Sequence, residues 1–193
     1  MEQPLFAFVD ESQSDRVVDP GTYILAAAVC DEETSEEVQR VMRGLLLRGQ
    51  RKLHWRDESE QRRHVVMRSC AKLAARHVIV VRSGHGDERS EWQRRKCLES
   101  LLVELDQIGV RRVVFESRGR RDDQRDRDML TFLRSQRRVS ADVRVDHEVG
   151  RRQPMLWLPD TVCGAVVAQR VGQPVFLAQL RQGASVTMIE LDG

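Results

Sequence analysis

Asparagine is missing from the 193 residues, tyrosine occurs once (Tyr23), isoleucine four times, and lysine only at Lys52, Lys72 and Lys96. The scarce residues have AT-rich codons, whereas Arg, Ala, Gly and Val have GC-rich ones. Codon usage therefore accounts for the abundance of arginine before any nucleic-acid groove is invoked. A surplus of positive charge is lacking too: 32 Lys and Arg face 30 Asp and Glu, for a formal net charge of +2. A chain that tracks a nucleic-acid backbone along its whole surface shifts that balance well above neutrality.

Long apolar runs are absent. The longest, 24–30, is far short of the ~20 residues a membrane span needs, and no membrane partner is expected. The opening ten residues show no basic segment followed by an apolar core, so they do not read as a secretory leader. The four cysteines, Cys30, Cys70, Cys97 and Cys163, form no Cys-x-x-Cys pair and no Cys/His zinc spacing. They read as buried free thiols in a reducing cytoplasm. Gly84 and Gly86 belong to no phosphate-binding fingerprint, and there is no Gly-x-Ser-x-Gly elbow, which argues against a serine hydrolase.

What remains is a chain with 40% hydrophobic residues, enough for a core. Its length fits one domain, 1–193, burying roughly 70% of its unfolded surface without disulfides or structural metal. Strands are expected at 5–9, 22–30, 77–82, 110–116, 142–146 and 185–191, the first two paired as a hairpin across Asp19-Pro20-Gly21. Segment 52–55 alternates polar and apolar residues like an edge strand. Helices are expected at 34–47, from a capping box at 57–60 to about 75 (Val65, Val66, Ser69, Leu73 and Ala74 inward), at 88–108, 129–134 and 159–171. The charged stretch 118–128 reads as a solvated loop. His64, His77, His85 and His147 read as surface residues, and Trp92 and Trp157 as core or interface aromatics. Strands interleaved with helices after an N-terminal β-hairpin give an α/β fold, a mixed β-sheet flanked by α-helices.

Three carboxylates stand where apolar elements end. Phe6-Ala7-Phe8-Val9 delivers Asp10, with Glu11 on the opposite face by period two. Val113-Val114-Phe115 delivers Glu116, and Asp160 lies in the first turn of an apolar helix rich in small residues. Each has a structural alternative: a turn cap for Asp10, an arginine pair for Glu116, and helix-dipole stabilisation for Asp160. Taken singly these alternatives weigh more; in this order the three carboxylates form a constellation that suits one or two shared divalent ions. Lys52 and His54 share one side of their segment, where they could hold a phosphate or move a proton, or simply face solvent. Arg118, Arg120 and Arg121 are candidate phosphate contacts, with Asp122 and Asp123 there to offset them.

Asp10-Glu11-Ser12, the Lys52-x-His54 motif, and Leu156-Trp157-Leu158-Pro159-Asp160 continuing into Gly164-Ala165 together resemble a large prokaryotic family, domain-of-unknown-function family 3800, of the ribonuclease-H-like superfamily. The chain departs from the family pattern at Gln13, where Gly is common, and at the residues just before Asp160. The resemblance implies a ribonuclease-H-like sheet, with Asp10, Glu116 and Asp160 as ligands of two Mg²⁺ or Mn²⁺ ions. The expected function is a metal-dependent nuclease, with nucleic acid as partner and Lys52 and His54 serving the substrate phosphate. Two other readings stay open: a non-catalytic binding or scaffold protein on the same fold, and a small-molecule phosphohydrolase.

Overall fold

The computed structural model describes residues 4–86 and 88–193; Met1–Gln3 of the opening segment lie outside the described residues. Strand β1 (Leu5–Gln13) turns into β2 (Thr22–Cys30), and the two pair antiparallel from Phe6↔Cys30 to Gln13↔Tyr23. There follow α1 (Glu32–Gly44), a 3₁₀ turn (Trp55–Asp57), α2 (Glu60–Cys70), β3 (Arg76–Ser83), α3 (Ser90–Gln107), β4 (Val110–Glu116), α4 (Arg120–Ser135) and β5 (Arg144–Glu148). Two further 3₁₀ turns lead into α5 (Trp157–Arg170), α6 (Val175–Arg181) and β6 (Ser185–Asp192).

The six strands form one sheet in the order β5-β4-β1-β2-β3-β6. β2 pairs antiparallel with both neighbours, and the other pairings are parallel. The sheet is therefore mixed, as the opening hairpin requires. β2 carries no charge, and all nine of its residues are buried, the pattern of a strand covered on both faces. One face packs Phe8, Ile24, Ile79 and Val114 against α1, α2, α5 and α6; the other packs Val9, Leu25, Val80 and Phe115 against α3 and α4. The result is a helix–sheet–helix arrangement.

Several sequence expectations change. β1 runs on to Gln13 instead of ending near Asp10. Its parallel pairing with β4 stops at Val9↔Phe115 while the ladder with β2 continues, so Asp10 sits where the sheet loses one neighbour. Segment 52–55 is not an edge strand, because β5 and β6 already form the edges; it is irregular chain entering the 3₁₀ turn. Its alternation nevertheless survives, with Leu53 and Trp55 buried. The helix after it is capped by Ser59, whose hydroxyl accepts from the Arg62 N–H, and ends at Cys70. Its inward residues are Val66, Met67 and Cys70, and Val65 is exposed.

The charged stretch 118–128 is mostly helix, not a solvated loop. α4 begins at Arg120, and Asp123 and Asp126 are buried on the face that carries Leu130 and Leu133. That apolar stripe is interrupted by two aspartates with partners of their own, which hides the helical period. His77 is fully buried on β3, and the His147 side chain is only 4% exposed, so neither is a surface histidine. Trp157 is core, whereas Trp92 is half-exposed beneath Arg82 and Lys96. The four cysteines are free and buried. Among the described residues no helix is long and apolar enough to cross a membrane.

Candidate active site

Asp10, Glu116 and Asp160 line one groove of about 1040 Å³, together with Lys52 and His54. Three elements deliver the carboxylates. Parallel β1 and β4 are in register at Val9↔Phe115, so Asp10 and Glu116 are the next residues on adjacent strands. The third comes from α5, whose first turn packs on β1. The Cys163 thiol donates to the Asp10 carbonyl oxygen across 3.4 Å, which ties helix to strand beside the site. Pro159 is tolerated here because the first turn's N–H groups have no intrahelical acceptor.

Each carboxylate has a specific neighbour. Lys52 Nζ donates to Glu116 Oε2 at 2.6 Å. The Trp55 backbone N–H donates to Asp160 Oδ2 at 2.8 Å, and His54 Nδ1 stands 3.6 Å from Asp160 Oδ1. The Glu11 backbone N–H donates to Asp10 Oδ1 at 2.8 Å. The irregular segment 52–55 thus presents Lys52 and His54 outward to two different carboxylates, while Leu53 and Trp55 anchor it to the core. Trp55 is seated by Gly164, where a Cβ would overlap the indole ring, and it packs edge-on to Phe176 with centroids 5.1 Å apart.

Burial raises the Asp10 carboxyl well above the ordinary carboxylate range, and the negative charges of Asp160 and Glu116 push it further. Burial raises Asp160 too, and Glu116 adds to it, against the opposing pull of His54, the Trp55 N–H and Lys52. For Lys52 burial acts downward, but Glu116, Asp10 and Asp160 outweigh it and the ammonium is held charged. The site is a concentration of negative charge into which one ammonium, that of Lys52, is directly bonded.

The donor set is carboxylate oxygen only, the chemistry hard divalent cations take, and its mutual repulsion would be relieved by such a cation. As the side chains stand, Glu116 is engaged by Lys52 and Asp160 by the Trp55 N–H. Among the described residues no three His, Cys, Asp or Glu side chains form a ready-made metal group.

A second polar cluster lies behind the site, and it has no counterpart among the sequence expectations. Glu11, on the opposite face of β1 from Asp10, is bonded by Arg94 of α3, and Arg94 also makes a two-pronged contact with Asp126 of α4. His147 Nε2 is 2.9 Å from Asp126 Oδ2. Arg94 and Asp126 are 2% and 1% exposed. The available signal was Asp126 at helical spacing from Met129, Leu130 and Leu133. Arg118 turns inward toward Glu11, Glu91 and Asp126, whereas Arg120 and Arg121 are exposed.

No protein-family profile matches the chain, and no curated protein does. Solved structures do. The ribonuclease H2 of Pyrococcus horikoshii OT3 is similar at a TM-score of 0.58 and 13% identity, over 92% of this chain and 76% of that one. The ribonuclease HII of Archaeoglobus fulgidus, solved in complex with PCNA, gives 0.55 and 12% over 93% and 78%. The fold is ribonuclease-H-like.

Proposed function

We propose that the chain is a divalent-metal-dependent nuclease related to domain-of-unknown-function family 3800, with Asp10, Glu116 and Asp160 as the residues that hold Mg²⁺ or Mn²⁺. One observation carries the reading: carboxylates from β1, β4 and α5 meet in one groove, where burial raises both Asp10 and Asp160, Asp160 and Glu116 raise Asp10 further, and Glu116 adds to the raise on Asp160. Bound divalent ions would lower the pKa of a water and stabilise charge on the leaving oxygen of a phosphodiester. The chain supplies the rest. Asp160 is kept in place by the Trp55 N–H. Lys52, held charged by its carboxylate neighbours, binds a non-bridging phosphate oxygen when Glu116 turns to a cation. His54, at the groove beside Asp160, gives a proton to the departing oxygen.

The ion pair between Lys52 and Glu116 favours a second reading, a binding protein that carries out no catalysis, since a side chain of the protein itself already neutralises Glu116. The near balance of acids and bases lining the groove favours a third, a phosphohydrolase of small molecules. Titration calorimetry with Mn²⁺ separates the first reading from the second. The nuclease reading expects saturable binding that weakens at least tenfold in both Asp10→Ala and Asp160→Ala; binding equal to wild type in both variants contradicts it.

A further inference from the structure

The groove is longer than the carboxylate cluster. Beyond Asp160 it continues along α5 and the start of the loop 14–21, where Val167, Ala168, Val171 and Val17 supply apolar lining. The loop is an ordered wall. Asp15 Oδ1 accepts the Val17 and Val18 N–H groups, both at 2.8 Å, and Asp19 is gripped by both Arg170 Nε and Nη2. That turn leaves Val17 89% exposed at the rim of the groove. Gln13 and Gln173 border the same stretch, each amide offering donors and an acceptor. Ser14, buried beside the Asp19 carboxylate, also lines it.

A duplex held by its backbones needs cations along both walls. This lining has five carboxylates against four lysines and arginines, and Lys52 is engaged with Glu116. The part remote from Asp10, Glu116 and Asp160, where Asp15 and Arg16 offset each other, suits an apolar planar group with polar edges better than it suits a row of phosphates. We propose that this stretch takes an unpaired nucleobase, so that the substrate of the neighbouring site is single-stranded nucleic acid rather than a duplex. The inference rests on the nuclease reading for the chemistry but not for the binding.

Fluorescence anisotropy with a labelled 12-nucleotide strand, alone and annealed to its complement, tests it in EDTA, so that no cleavage is required. The single strand is expected to bind at least tenfold more tightly than the duplex. Val167→Trp, which fills the groove, is expected to lose most of that preference. Val17→Glu, at an exposed loop position that does not threaten the fold, is expected to weaken the single strand about threefold or more and the duplex less. Duplex binding as tight as single-strand binding, no binding of either, or variants that bind the single strand like wild type would each overturn the inference. A protein that prefers single strands and cleaves nothing with Mn²⁺ keeps the base groove and sinks the nuclease reading. One that cleaves duplexes faster than single strands does the reverse.

Discussion

Two buried charged or titratable groups make sharp demands at the residue scale. Arg94 is enclosed with Asp126 and reaches Glu11, which stands back to back with Asp10 on β1. Removing Arg94 leaves the buried Asp126 with only His147 and the more distant Arg118 among the described residues, so Arg94→Met should cost about 3 kcal/mol in urea unfolding. The double variant Arg94→Met/Asp126→Leu should recover part of that loss. Among the described residues His77 has no hydrogen-bond partner at either ring nitrogen, and burial lowers its pKa from 6.5 to about 4. The unfolded chain takes up a proton that the folded chain refuses, so acid favours unfolding. His77 therefore leaves stability untouched above about pH 6.5 and reduces it progressively down to about pH 4. By linkage the loss reaches about 3 kcal/mol. His77→Leu should remove that part of the pH dependence, seen as a flatter stability profile between pH 6.5 and 4 than wild type shows.

At the scale of elements, the position of Asp160 depends on how α5 meets the 3₁₀ turn at Trp55. Replacing a helix-interior glycine by alanine ordinarily stabilises by about 1 kcal/mol. At Gly164 the new Cβ would overlap the Trp55 ring, and overpacking of this kind costs about 1–3 kcal/mol. Gly164→Ala should therefore lower the melting temperature. It should also weaken Mn²⁺ binding, because the displaced Trp55 carries the N–H that holds Asp160. This contact joins residues 105 apart in sequence, which is why it was not legible there. The strands were: an apolar run such as Val110–Glu116 has no competing period, and its bounds match, whereas β1 runs on to Gln13 and β5 lies at Arg144–Glu148 instead of 142–146. The segment at 52–55 shows the limit, since alternation gave the sides of Lys52 and His54 correctly but not the conformation. α4 shows another, because its stripe is completed by aspartates whose partners, Arg94 and His147, come from α3 and β5. Short α6 has no expectation at all.

The whole molecule turns a nearly neutral chain into a locally polarised one. The 32 basic and 30 acidic residues give no overall field, but the sheet order places β4 beside β1 and so gathers three carboxylates from positions 10, 116 and 160. The order of the motifs along the chain made that set legible as a constellation. Its neighbours, the Lys52–Glu116 and Trp55–Asp160 contacts and the cluster behind Glu11, depend on tertiary packing that no single segment encodes. On the nuclease reading the gathered carboxylates hold divalent cations for phosphodiester cleavage. Its most direct test is cleavage of labelled single-stranded, duplex and hybrid oligonucleotides by wild type and Asp10→Asn, with Mg²⁺, Mn²⁺ or EDTA. Asp10→Asn keeps the shape of the side chain and removes its charge. Metal-dependent cleavage of at least one substrate by wild type is expected, lowered at least a hundredfold in a folded Asp10→Asn. Cleavage that persists in EDTA, or a variant as fast as wild type, would contradict it.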